Sequence, residues 1–107
     1  LNNLEAIIQS IARDYPLTEM KLLSILPVNE GEEYKQTVYI RTNEKIQKWN
    51  QAYQELASAY MQVEFVPVFD SLTDQAGQLK KDYTTDGLHL SVAGYQILTK
   101  ALKDYLL

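Results

Sequence analysis

Cysteine is absent from the 107 residues, which excludes disulfides and thiolate metal sites and fits a reducing compartment such as the cytosol. No apolar run approaches the roughly 20 residues needed to cross a bilayer, and no secretory leader is visible. Basic residues are outnumbered, 10 Lys and Arg against 14 Asp and Glu, and they form no cluster. A nucleic acid or an anionic membrane would want a basic stripe to displace its counterions, so neither is favoured as a partner. Glycine and proline are scarce (4 and 3), which leaves no room for a low-complexity linker. Histidine occurs once.

What remains is ordinary globular material, 46% apolar and 22% charged, enough for a single domain over 1–107 with a modest core. The chain opens at Leu1 with no initiator Met and runs straight into a helical pattern, as though taken from something longer.

Periodicity divides the chain. Leu4, Ile7, Ile8, Ile11 and Ala12 recur at three- and four-residue steps, with Asn3, Glu5, Gln9 and Arg13 facing water, and Pro16 ends this helix. Met20 to Leu26 is almost continuously apolar and stops at Pro27, which suits a strand buried on both faces of a parallel sheet. Val28 to about Thr42 has no period and exceeds usual connection lengths at about 14 residues. Ile46, Trp49, Tyr53, Leu56, Ala57 and Tyr60 mark a second helix, capped by Thr42 or Asn43. Val63 to Phe69 is the second strand, with Pro67 suggesting an edge or a bulge. Asp70 to Leu90 reads as loop with a short turn near Gln78 to Lys81. Ser91 caps a third helix carrying an apolar stripe of Tyr95, Leu98, Ala101, Leu102 and Tyr105.

Strands separated by helices imply a parallel sheet with right-handed crossovers, an α/β fold of the doubly wound class with two strands and three helices. Two strands make a poor sheet, however, and one edge stays unpaired. That edge is expected along residues 20–26, where it invites self-association or complementation by a further strand.

In open α/β sheets, ligands bind beyond the carboxyl ends of the strands. The loop leaving the second strand holds Asp86-Gly87-Leu88-His89. A tight turn at this spacing can bring the Asp86 carboxylate to His89 Nδ1–H, fix the tautomer and leave Nε2 free to accept a proton. The same four residues can also be an ordinary surface turn or helix cap, because chemistry is recognised by several groups together. Tyr34 and Tyr39 fall off every helical stripe and are candidates to line a substrate pocket. The acidic patch at Glu30, Glu32 and Glu33 reads as solvated surface. A metal site from Asp70, Asp86 and His89 is poorly supported by a single imidazole, and none is expected.

The run Asp86-Gly87-Leu88-His89-Leu90-Ser91-Val92-Ala93-Gly94-Tyr95 resembles the last block of the GDSL/SGNH esterase-lipase family, where Asp-x-x-His precedes Leu, a capped helix start and Gly-Tyr. More loosely, the strand ending at Pro27, the helix around Trp49-Asn50 and the strand Phe65 to Asp70 resemble the family's later elements. The resemblance implies the C-terminal half of a flavodoxin-like three-layer α/β/α hydrolase acting on a small-molecule ester. It implies His89 as general base, Asp86 as its orienter, and no cofactor. The family's Gly-Asp-Ser nucleophile and its oxyanion Gly and Asn have no counterpart in this sequence. Phe69 stands where Asp70-Ser71-Leu72 would need Gly, and Thr42-Asn43-Glu44 reads as a helix start. The chain alone is therefore expected to lack esterase activity. A non-catalytic α/β interaction module is the reading from another class.

Overall fold

The computed structural model describes residues 2–106. Helix α1 (Asn2–Asp14) leads into strand β1 (Met20–Leu23). A short helix α2 (Lys35–Val38) and a long helix α3 (Asn43–Ser58) precede strand β2 (Val63–Val66), and helix α4 (Val92–Leu106) closes the chain. Three single 3-10 turns, Glu32–Tyr34, Asp70–Leu72 and Lys81–Tyr83, punctuate the loops.

The strands pair in parallel, Met20 opposite Val63 through Leu23 opposite Val66, joined by the α3 crossover as the alternation of elements requires. Each strand is shorter than its apolar run. Ser24 N–H still donates to Val66 O at 3.0 Å, but Val68 N–H then turns to the Ser24 hydroxyl, also at 3.0 Å, and the ladder ends before Pro27 and Pro67. Three helices were expected; α2 is the fourth, and its single turn is too short to show a 3.6-residue period.

Burial also departs from expectation. All four β1 residues are half-buried instead of buried on both faces, because the described sheet has two strands and leaves the far edge of β1 unpaired. Along α4, Leu98, Ala101, Leu102 and Tyr105 are half-buried, but Tyr95 is exposed. Trp49 on α3 is likewise exposed, while Leu56 and Ala57 are buried.

The most buried region lies at and beyond the carboxyl ends of the strands, where Pro27, Val28, Val66, Val68, Leu72 and Leu79 are fully buried. Two buried amides organise it from α3. Asn50 accepts from Ile25 N–H at 2.6 Å and donates to Ile25 O at 3.1 Å. Asn43 does the same to Val28, accepting from its N–H at 2.8 Å and donating to its C=O at 2.7 Å. A primary amide matches the N–H donor and C=O acceptor of one residue, so each Asn replaces a missing ladder partner for backbone that has left the sheet. Thr42, not Asn43, caps α3, accepting from Lys45 N–H at 3.2 Å.

Candidate active site

The segment after β2 is laid down by short-range chemistry. Asp74 Oδ1 accepts from Ala76 and Gln78 N–H, closing a turn through Gly77 at φ +77°. Leu79 N–H donates to Val28 O at 3.0 Å, and the Asn29 amide donates to Leu79 O at 2.8 Å. The loops leaving the two strands are thus stitched together before the histidine is reached.

Thr84 pairs with Leu90 in an isolated antiparallel bridge, and the turn Asp86 to His89 bulges between them. Asp86 Oδ1 accepts from Leu88 N–H at 2.9 Å and from His89 N–H at 2.7 Å. Its other oxygen, Oδ2, lies 2.6 Å from His89 Nδ1. An ionised carboxylate can only accept, so Nδ1 carries a proton, and in the neutral ring Nε2 then presents its lone pair. The imidazole hydrogen bond, followed by the two backbone N–H groups, holds the Asp86 carboxyl well below the usual carboxylate range. The His89 side chain is 74% exposed, against 33% for Asp86. The acid is tucked under the ring and the ring faces open space.

Gly87 makes the turn possible in two ways. Its φ of +84° is a left-handed conformation that side chains resist, and a Cβ there would come within 2.5 Å of Tyr34 Cβ and 3.0 Å of Val38 Cγ2. Gly87 O also accepts from Asn29 N–H at 2.9 Å. The turn is pinned from both sides by the loop that leaves β1. Behind it, the Ser91 hydroxyl caps α4 by accepting from Gly94 N–H at 3.2 Å and donates to Asp82 O at 3.0 Å. Gly94 lets this first helical turn press on the chain, since a Cβ would meet Tyr83 O at 2.5 Å.

Tyr34 is half-buried over Gly87. Tyr39 is 75% exposed, at φ 55°, beside a shallow hollow lined by Glu30, Lys35, Val38 and Arg41. Ser71 is exposed in the turn Asp70–Leu72, and among the described residues no hydrogen bond joins it to His89. Asn43, whose tripeptide mimics an oxyanion block, spends both ends of its amide on Val28. A groove between α3 and β2, lined by Ser24, Gln47, Asn50, Phe65, Pro67 and Asp70, does not include His89. Among the described residues no three His, Asp or Glu side chains gather as metal ligands, and no helix is long and apolar enough to cross a membrane.

Sequence reasoning missed Thr84, Asn29, Asn43 and Asn50 as supports of the site. A polar residue inside an apolar neighbourhood was the available signal for Asn50, flanked on its helix by Ile46 and Tyr53; the others lie in loops or at a helix start, where polar residues are unremarkable.

Residues 1–97 match the GDSL-like Lipase/Acylhydrolase family. A Streptococcus pneumonia protein, provisionally described as a platelet activating factor, is 87% identical over 99% of this chain, with a TM-score of 0.96, and the match covers 50% of that protein. A Bacteroides fragilis NCTC 9343 protein, provisionally described as an acylhydrolase, shares the fold at a TM-score of 0.76 and 18% identity, over 97% of this chain and 48% of its own. The chain thus spans about half the length of these solved structures. Comparison with curated proteins gave no match. The family's pattern over residues 1–97, together with the doubly wound architecture, makes this chain a member of the GDSL-like lipase/acylhydrolase family.

Proposed function

We propose that this chain supplies the general base and its orienter to a serine ester hydrolase whose nucleophile and oxyanion donors come from sequence outside these 107 residues. The observation that carries the reading is the 2.6 Å contact between Asp86 Oδ2 and His89 Nδ1 beneath an imidazole open to solvent. In the reaction, His89 Nε2 takes the proton of an attacking serine hydroxyl as the tetrahedral intermediate forms. It then returns that proton to the leaving alcohol, while Asp86 steadies the imidazolium without itself becoming protonated. No cofactor enters these steps. Tyr39, and Tyr34 at the base of the same loop, form part of the wall that meets the acyl group of a small-molecule ester.

The same reading makes residues 1–107 one structural unit and gives the unpaired edge of β1 a partner, a further parallel strand that the remaining sequence of such a hydrolase provides. A fusion of this chain to the half of the streptococcal relative that it does not cover tests the assignment. His89→Ala in that fusion is expected to lower hydrolysis of a short-chain aryl ester by about 10³-fold or more with folding retained. Undiminished turnover in the folded variant discards the role of His89.

A further inference from the structure

We infer that Thr84 is a positioning residue for His89, its hydroxyl acting as the latch that closes the Asp86–His89 turn. The inference rests on the proposed base–orienter role of that pair. An imidazole 74% exposed is held little by packing, so its orientation comes from the one hydrogen bond its ring makes among the described residues and from the backbone that carries it. That backbone is a four-residue bulge containing Gly87, the residue type least able to hold a conformation by itself. Thr84 sits directly beneath, 6% exposed, and its side chain is spent entirely inside the bulge. The hydroxyl accepts from Gly87 N–H at 2.9 Å and donates to His89 O at 2.6 Å. One oxygen therefore fixes the separation between the residue after the acid and the histidine itself. The backbone of Thr84 is held independently, extended at φ −149° and bridged to Leu90, so the latch has a rigid mount.

The geometry assigns the hydroxyl a task that neither methyl nor bulk can perform, because donor and acceptor are both used and both partners lie in the turn. Without it, Gly87 N–H loses its partner in a buried setting and His89 O in a part-buried one. The bulge then relaxes toward arrangements in which Asp86 Oδ2 no longer meets Nδ1.

Because His89 is the only histidine, ¹⁵N-detected imidazole spectra of the full chain at pH 8 report its tautomer without ambiguity. Thr84→Val, which keeps the shape and removes the hydroxyl, is expected to lose the dominant Nδ1–H signal, and Thr84→Ser to keep it. If Thr84→Val fails to fold, Thr84→Cys replaces it, since a thiol is too weak a donor and acceptor to hold both bonds. A folded Val or Cys variant with the wild-type tautomer overturns the inference. Asp86→Asn separates this from failure of the underlying reading. If Asp86→Asn changes the tautomer and Thr84→Val does not, only the latch is wrong; if Asp86→Asn changes nothing, the base–orienter pair itself is wrong.

Discussion

Asp86 does three things with one carboxylate. Two backbone N–H groups fix it in the turn, and the remaining oxygen meets the imidazole Nδ1. Its depressed acidity has a consequence for stability. A carboxyl whose folded pKa lies below its unfolded value contributes fully above that unfolded value, near 3.9, and loses the contribution as pH falls through the folded one. Urea midpoints measured from pH 5 downward are therefore expected to fall more steeply for the wild type than for Asp86→Asn; parallel curves would contradict the assignment. The neighbouring glycine is constrained twice, by φ +84° and by Tyr34. Gly87→Ala is expected to cost at least about 1–3 kcal/mol from backbone strain alone, read as a lowered denaturation midpoint. The carboxylate–imidazole pair was legible in the sequence because all its partners lie within four residues. Thr84 was not, because a threonine in a loop advertises nothing until the bridge to Leu90 turns its hydroxyl inward.

At the scale of elements, α3 does more than connect two parallel strands. Asn50 makes part-buried and Asn43 buried hydrogen bonds with the chain that leaves β1, and that loop holds Gly87 through Asn29. Asn50→Ala would leave the N–H and C=O of Ile25 without their partner, an expected loss of about 2–3 kcal/mol measurable by chemical denaturation. An unchanged midpoint would mean that water replaces the amide freely. Alternation of helices and strands was readable from periodicity, as were the Ser91 cap and the water-facing side of α1. Strand ends were not. The apolar runs 20–26 and 63–69 continue past the ladder, with Val68 and Phe69 buried and Ile25 and Leu26 half-buried beyond it, and hydrophobicity alone does not distinguish a paired residue from one that has turned a corner. Helix α2 escaped for want of length, and the exposure of Tyr95 and Trp49 because an apolar stripe says only which face is sticky.

Across the whole molecule the chain is loosely gathered. Its radius of gyration is 15.2 Å, where a compact chain of this length is expected near 13 Å. Ile8 is the one buried residue of α1, and among the described residues both edges of the sheet are unpaired. Such a molecule by itself is expected to self-associate through β1, seen as a concentration-dependent elution volume in gel filtration; a stable monomer at every concentration would argue against an open edge. The chain alone is also expected to leave a short-chain aryl ester intact, and activity that disappears with Ser71→Ala would overturn the placement of the nucleophile elsewhere. Against this open frame the turn that carries Asp86 and His89 is well determined, because its hydrogen bonds are local or run to the loop beside it. The most direct check is the ¹⁵N spectrum of the His89 imidazole in the wild-type chain at pH 8. A ring protonated on Nδ1 with a bare Nε2 is the expected result, and a ring protonated on Nε2 would contradict the whole account.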